Sequence, residues 1–180
     1  RDLRMSRGLG DVYKRQIFMK KINFLTQAAM IAALYVVLTL AINAFGLASG
    51  AIQVRVSEAL TILPYFTPAA IPGLFIGCLL SNTITGCALF DIIFGSIATL
   101  LGAVGTYLLR RHKWLAPVSP IIANTIIVPF VLSYVYGTPG TIPYLMLTVG
   151  IGEVLSCGVL GMVLLFALNK YRTTLFGVQN

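Results

Sequence analysis

The stretch from Gly50 to Thr85 reads GAIQVRVSEALTILPYFTPAAIPGLFIGCLLSNTIT, and how it is divided decides the fold. It is apolar enough to be taken as one long helix. Pro64 and Pro68 argue against that, because a proline inside a helix removes a backbone donor and clashes with the preceding turn. With Gly50 before it, the stretch parses into a short helix over 53–66 and a second over 69–85. Four longer apolar runs surround it, over 25–45, 90–109, 114–136 and 144–168. All four reach the roughly 20 residues that a bilayer-spanning helix requires. The expected fold is therefore an all-α integral membrane protein of six transmembrane helices.

Composition agrees. Of 180 residues, 58% are hydrophobic and 10% are charged, against about 25% charged in an average soluble domain. The mean hydropathy is +0.91. The formal charge of +8 would suggest nucleic acid in a soluble protein, but here the basic residues cluster at the ends of apolar runs, so no nucleic-acid partner is expected. Lys20 and Lys21 precede the first span, Arg110, Arg111 and Lys113 separate the fourth from the fifth, and Lys170 and Arg172 follow the sixth. Six spans put all three groups on one side, which the positive-inside rule makes the cytoplasm, so both termini are expected there. Merging the second and third spans would put Arg110 to Lys113 outside. Trp114, Tyr107 and Tyr171 at inner ends, with Tyr134, Tyr136 and Tyr144 at outer ends, fit two interfacial belts.

Residues 1–18 read differently from the rest. Arg1 to Gln16 holds five basic and two acidic residues, and Met19-Lys20-Lys21 reads as a natural start. The expected organisation is a foreign or disordered tail over 1–18, a six-helix membrane domain over 19–172 and a cytoplasmic tail over 173–180. The ATP-binding spacing GxxxxGK[ST] is absent, so ATP-driven work would need another chain. Cys78, Cys87 and Cys157 show no metal-ligand or redox spacing and read as small apolar packers. Neither a metal nor a cofactor is expected, and His112 reads as a solvated neighbour of Arg111.

Polar side chains are unevenly placed along the spans. Asn43, Gln53, Arg55, Glu58, Asn82 and Asp91 fall near the outer ends of the first four helices, and Asn124 and Glu153 near mid-depth of the last two. This segregation predicts a polar pocket open to the outside. Beyond the first sixteen residues the acids are Glu58, Asp91 and Glu153. An acid within a span costs about 3 kcal/mol on insertion scales and is retained for a partner, ligand or ion path. Glu58 suits either an ion pair with Arg55 at i−3 or a ligand contact. Asp91 suits either a helix cap or a ligand. Glu153, among Gly150, Gly152 and Gly158, reads as a ligand contact, with a buried protonated acid or a pair with Arg55 as rivals. Asn124 serves equally as interhelical glue or ligand contact. Ala28/Ala32, Ala29/Ala33 and Gly73/Gly77 give small-xxx-small spacing suited to close helix approach.

Three runs carry a family resemblance: Gln53-Val54-Arg55-Val56-Ser57-Glu58-Ala59-Leu60-Thr61-Ile62-Leu63-Pro64, Gly73-Leu74-Phe75-Ile76-Gly77-Cys78, and Asp91-Ile92-Ile93-Phe94-Gly95-Ser96-Ile97-Ala98-Thr99-Leu100. From about Met19 to Lys170 the chain resembles the QueT queuosine-precursor transporters, substrate-binding S components of energy-coupling factor (ECF) importers. The resemblance implies a non-enzymatic subunit of a bacterial plasma membrane that captures its substrate from outside. Its partners would be a transmembrane coupling protein and two cytoplasmic ATPases. It also implies that Ala28, Ala29, Ala32 and Ala33 pack on the coupling protein. Substrate would be held by the 46–53 loop with Asp91, Asn124 and Glu153. A 7-deazaguanine presents an N–H and an exocyclic amine side by side, which one carboxylate accepts as a pair. Two alternatives stand beside this: an S component for another vitamin-like ligand, and a stand-alone proton-coupled carrier using Glu58, Asp91 and Glu153 as a relay. An intramembrane enzyme is disfavoured, since no paired-His pattern or GxSxG elbow is present.

Overall fold

The computed structural model describes residues 2–45 and 55–171, with side chains from Arg15 onward. It is all-helical among the described residues, with α1 (Asp2–Ala44), a 3-10 segment (Val56–Tyr65), α2 (Ala70–Ile84), α3 (Leu89–Leu108), α4 (Val118–Tyr134), α5 (Ile142–Glu153) and α6 (Gly161–Asn169). A π-helical turn, Val154–Leu160, joins α5 to α6 so that they run as one rod. Arg15–Ala44, Leu89–Leu108 and Ile142–Asn169 are long and apolar enough to cross a membrane, whereas α2 and α4 are shorter apolar helices.

Local sequence explains the boundaries. No proline or glycine interrupts 11–45, and α1 runs unbroken, its backbone helical from Asp2 through the stretch expected to be a tail. α2 begins two residues after Pro68, carries Pro72 in its first turn where a missing donor costs little, and ends at Gly86, whose φ of +73° is the left-handed conformation that glycine adopts freely. Pro117 delays the start of α4, so Trp114, expected inside the fifth span, lies in the preceding turns and packs edge-on to Phe166 at 5.7 Å.

The second predicted helix needs a correction. Where it is described, from residue 55 onward, it is not an α-helix but ten residues of 3-10 helix over 56–65 with Pro64 inside it. At about 2.0 Å per residue it reaches roughly 20 Å, short of the roughly 30 Å hydrocarbon thickness. It is nonetheless the centre of the molecule. α1 to α5 pack as successive neighbours, while the 3-10 segment contacts α1, α2, α3, the π turn and α6. Every residue from Ser57 to Pro64 is buried. Leu60, Ile62 and Leu63 join Tyr35, Leu74 and Leu165 in the core.

In lipid, helices gain little from burying one apolar surface against another, so close packing carries much of their association. The small-residue stripes supply it. A Cβ at Gly73 would lie 2.6 Å from the Ala28 carbonyl oxygen, and one at Gly77 would lie 2.8 Å from the Tyr35 Cβ and 3.1 Å from the Ala32 Cα. The Ala28/Ala32 pair of α1 is thus spent inside the chain against the Gly73/Gly77 pair of α2. Ala29 and Ala33 remain exposed. They line a shallow apolar groove with Leu25, Val37, Ile76 and Leu80. On the other flank, a Cβ at Gly102 would meet Pro120 Cα at 2.8 Å, bringing α3 and α4 equally close.

Gly73→Ala should therefore destabilise the protein by about 1–3 kcal/mol, because the atom in the way is backbone. Gly158→Ala, whose Cβ would find nothing nearer than 3.7 Å, should be neutral. Thermal unfolding of both variants in detergent checks the pair; equal melting temperatures would contradict the assigned contact.

Candidate functional site

The C-terminal ends of α1, α2 and α4, the start of the 3-10 segment and the N-terminal end of α3 converge at one end of the bundle. There they enclose a cavity of about 330 Å³. Its polar lining includes Asn43, Arg55, Asn82, Asp91 and Tyr136, with hydroxyls from Tyr35, Thr39, Ser57, Thr85 and Thr138. Lys20 and Lys21, the Arg110–Lys113 group and Lys170 lie toward the opposite ends of their helices. Of the residues proposed from sequence, the structure brings Asn43, Arg55, Asn82 and Asp91 together on this cavity. Gln53 and the 46–53 loop lie outside the described residues.

Asp91 does not cap its helix. Ala88 is the N-cap and makes no side-chain cap bond; Asp91 Oδ2 instead accepts from the Tyr136 hydroxyl at 3.0 Å, which itself accepts the Ala88 N–H at 3.1 Å. Tyr136, read from sequence as a belt residue, is exposed like Tyr134 and Tyr144 but also lines the cavity. Beneath Asp91 the wall is bare backbone: a Cβ at Gly95 would sit 3.3 Å from Asn82 Nδ2 and 3.5 Å from Asp91 Oδ1. That glycine keeps an amide donor and a carboxylate acceptor open side by side.

Glu58, Asn124 and Glu153 do not line the cavity. They form a second, buried tier, with exposures of 1%, 3% and 6%. Tyr35 joins the tiers, because its ring lines the cavity while its hydroxyl donates to Glu58 Oε1. Glu58 Oε2 is buried without a hydrogen-bond partner, so the Arg55–Glu58 ion pair suggested by spacing is not a direct one. Arg55 acts through space on both Asp91 and Glu58, and its backbone N–H donates to Ser156 Oγ at 3.1 Å. The amide of Asn124 faces both carboxylates.

The π turn completes this tier. Such turns recur at functional sites, and here Glu153, Ser156 and Cys157 all face the interior. The Cys157 thiol lies 3.2 Å from Glu153 Oε2, 3.4 Å from the Glu58 carbonyl oxygen and 3.4 Å from Thr61 Oγ1. It is not the apolar packer that sequence suggested. Tyr35 and Cys157, like Tyr136 above, are participants that the sequence reading missed. The signal for Cys157 was its i+4 spacing from Glu153; for Tyr35 no local pattern pointed inward.

A family model described as QueT transporter matches residues 25–170. A relative named Queuosine precursor transporter QueT, from Lactococcus lactis subsp. cremoris (strain MG1363), is 37% identical over 86 residues, covering 47% of this chain and 50% of that protein. The matched region thus spans about half the relative's length. No solved structure matches the chain.

Removing the Tyr35 hydroxyl leaves a buried carboxylate short of a donor, so Tyr35→Phe should cost about 1–3 kcal/mol in unfolding experiments. The exposed Tyr134→Phe should cost nothing measurable. A Tyr35→Phe/Glu58→Gln double-mutant cycle should show coupling of the two side chains, and strict additivity would break the assigned bond.

Proposed function

The chain belongs to the QueT transporter family, and from that premise we propose that it is the substrate-binding S component of an ECF-type importer for a queuosine precursor of 7-deazaguanine type. The observation that carries this reading is the cavity: one carboxylate, one guanidinium, two carboxamides and several hydroxyls in about 330 Å³ at one end of an apolar bundle. Ligand sites combine such a concave shape with a few convergent polar groups. Asp91, held by Tyr136, accepts the paired donors of the base or the cation of an aminomethyl group. Asn43, Asn82 and Arg55 read the remaining edges, and Gln53 contributes a further ligand contact. Glu58, Asn124 and Glu153 support the site from beneath.

In this reading the bundle crosses the bacterial plasma membrane six times, with the 3-10 segment as a shortened second span. The basic ends and both termini face the cytoplasm and the cavity opens outside, over a membrane domain of 19–172 with 1–18 and 173–180 as tails. The exposed Ala29/Ala33 face seats a transmembrane coupling protein, with Ala28 and Ala32 behind it. Two ATPase subunits of that module drive release, and this chain performs no chemistry on its substrate.

Calorimetry on the purified full chain in detergent, with a panel of 7-deazaguanine precursors, riboflavin, thiamine and biotin, tests the reading. A deazaguanine should bind without partners, and Asp91→Asn should weaken it at least tenfold, about 1.4 kcal/mol. Glu153→Gln, one layer deeper, should change it less. Binding of a different vitamin alone would replace the substrate. Uptake into vesicles by this chain alone, driven by a proton gradient, would replace the mechanism.

A further inference from the structure

The buried tier holds an arrangement that substrate capture does not use. Glu58, Glu153 and Cys157, from the 3-10 segment, the end of α5 and the π turn, each bring one ligand atom to within 4.8 Å of the others, all three buried. Glu153 and Cys157 stand four residues apart on one helical face, and Glu58 joins them from far along the chain, so no single local run shows the set.

The second observation is the state of Glu58. Its Oε1 is taken by the Tyr35 hydroxyl, while Oε2 is buried with no hydrogen-bond partner among the described residues. A carboxylate oriented through one oxygen by an outer donor, with the other left free, is how proteins present a metal ligand. Leaving that oxygen bare in a low-dielectric interior is otherwise unfavourable. Asn124 turns its amide N–H groups toward both carboxylates and so orients them from outside the ligand set, leaving the fourth position to water. Charge also closes: two carboxylates, a thiolate and the Arg55 guanidinium sum to −2, which one divalent cation neutralises.

We propose that Glu58, Glu153 and Cys157, steadied by Asn124, form a buried site for a borderline-soft divalent metal ion of the zinc type. The mixed oxygen and sulfur donors select against calcium and magnesium, which take oxygen alone. Tetrahedral zinc sets its ligand atoms roughly 3.3–3.8 Å apart, so the widest pair closes by about 1 Å on binding. The thiol proton, now directed at Glu153 Oε2 at 3.2 Å, leaves to water as the Cys157–metal bond forms. Ser57, next to Glu58, lines the cavity above. The ion would tie the 3-10 segment to the α5–α6 rod beneath the substrate site.

The test uses metals alone and is independent of any transported ligand. The full chain, purified without chelators, should carry about one zinc per chain by elemental analysis. After stripping, Co²⁺ should produce a thiolate charge-transfer band in the near ultraviolet. Cys157→Ser should abolish that band and weaken metal binding at least tenfold, Glu58→Gln should weaken it similarly while keeping the band at saturating Co²⁺, and Cys87→Ser should change neither. If Cys157→Ser fails to fold, the wild-type stoichiometry and Glu58→Gln still decide. Absence of both zinc and the cobalt band in the wild-type protein, or a band that persists in Cys157→Ser, overturns the proposal.

Discussion

The hydrogen bond from Tyr35 to Glu58 is the contact on which the arrangement turns. It places an acid in the middle of an apolar bundle and gives it a donor from another helix, which is the condition for burying such a group at all. Because Glu58 sits on the 3-10 segment, the bond also fixes that segment's rotation against α1. The remaining helices pack around this central rod, and the cavity is the space left above it. A proline-rich stretch too short to be a full span thus becomes the spine of the fold.

Much of the architecture was legible because membrane physics writes it in simple terms. Apolar runs and prolines located the long helices, and the small-residue spacings of α1 and α2 named the seam where those helices meet. The 3-10 geometry of 56–65 was hidden, since a ten-residue apolar run with a proline near its end reads as a short α-helix, and only its central burial shows that the tighter winding is tolerated. The pairing of stripes was also hidden. Spacing says that Ala28/Ala32 and Ala29/Ala33 both permit close approach, but which pair meets Gly73/Gly77 depends on the rotation of α1 about its axis.

The candidate site was legible by depth and not by partnership. Hydropathy located Asn43, Arg55, Asn82 and Asp91 at one end of the bundle, and they do share a cavity. The separation of Glu58, Asn124 and Glu153 into a lower tier depends on a few ångströms of vertical offset that helix numbering does not resolve. Tyr136 and Cys157 were read incompletely for a common reason: an aromatic near a helix end and a cysteine inside an apolar run are by default a belt and a packer, and only the acid opposite each reveals its second role.

The backbone contact between α1 and α2 has a mechanical meaning. Where Gly73 meets the Ala28 carbonyl, no side chain stands between the helices to change rotamer and absorb a sliding motion. The two helices therefore behave as a single stiff plank, in which Tyr35 at the cavity lies within about two helical turns of the bare Ala29/Ala33 face. A push on either is felt at the other as a tilt of the whole plank and not as a local repacking.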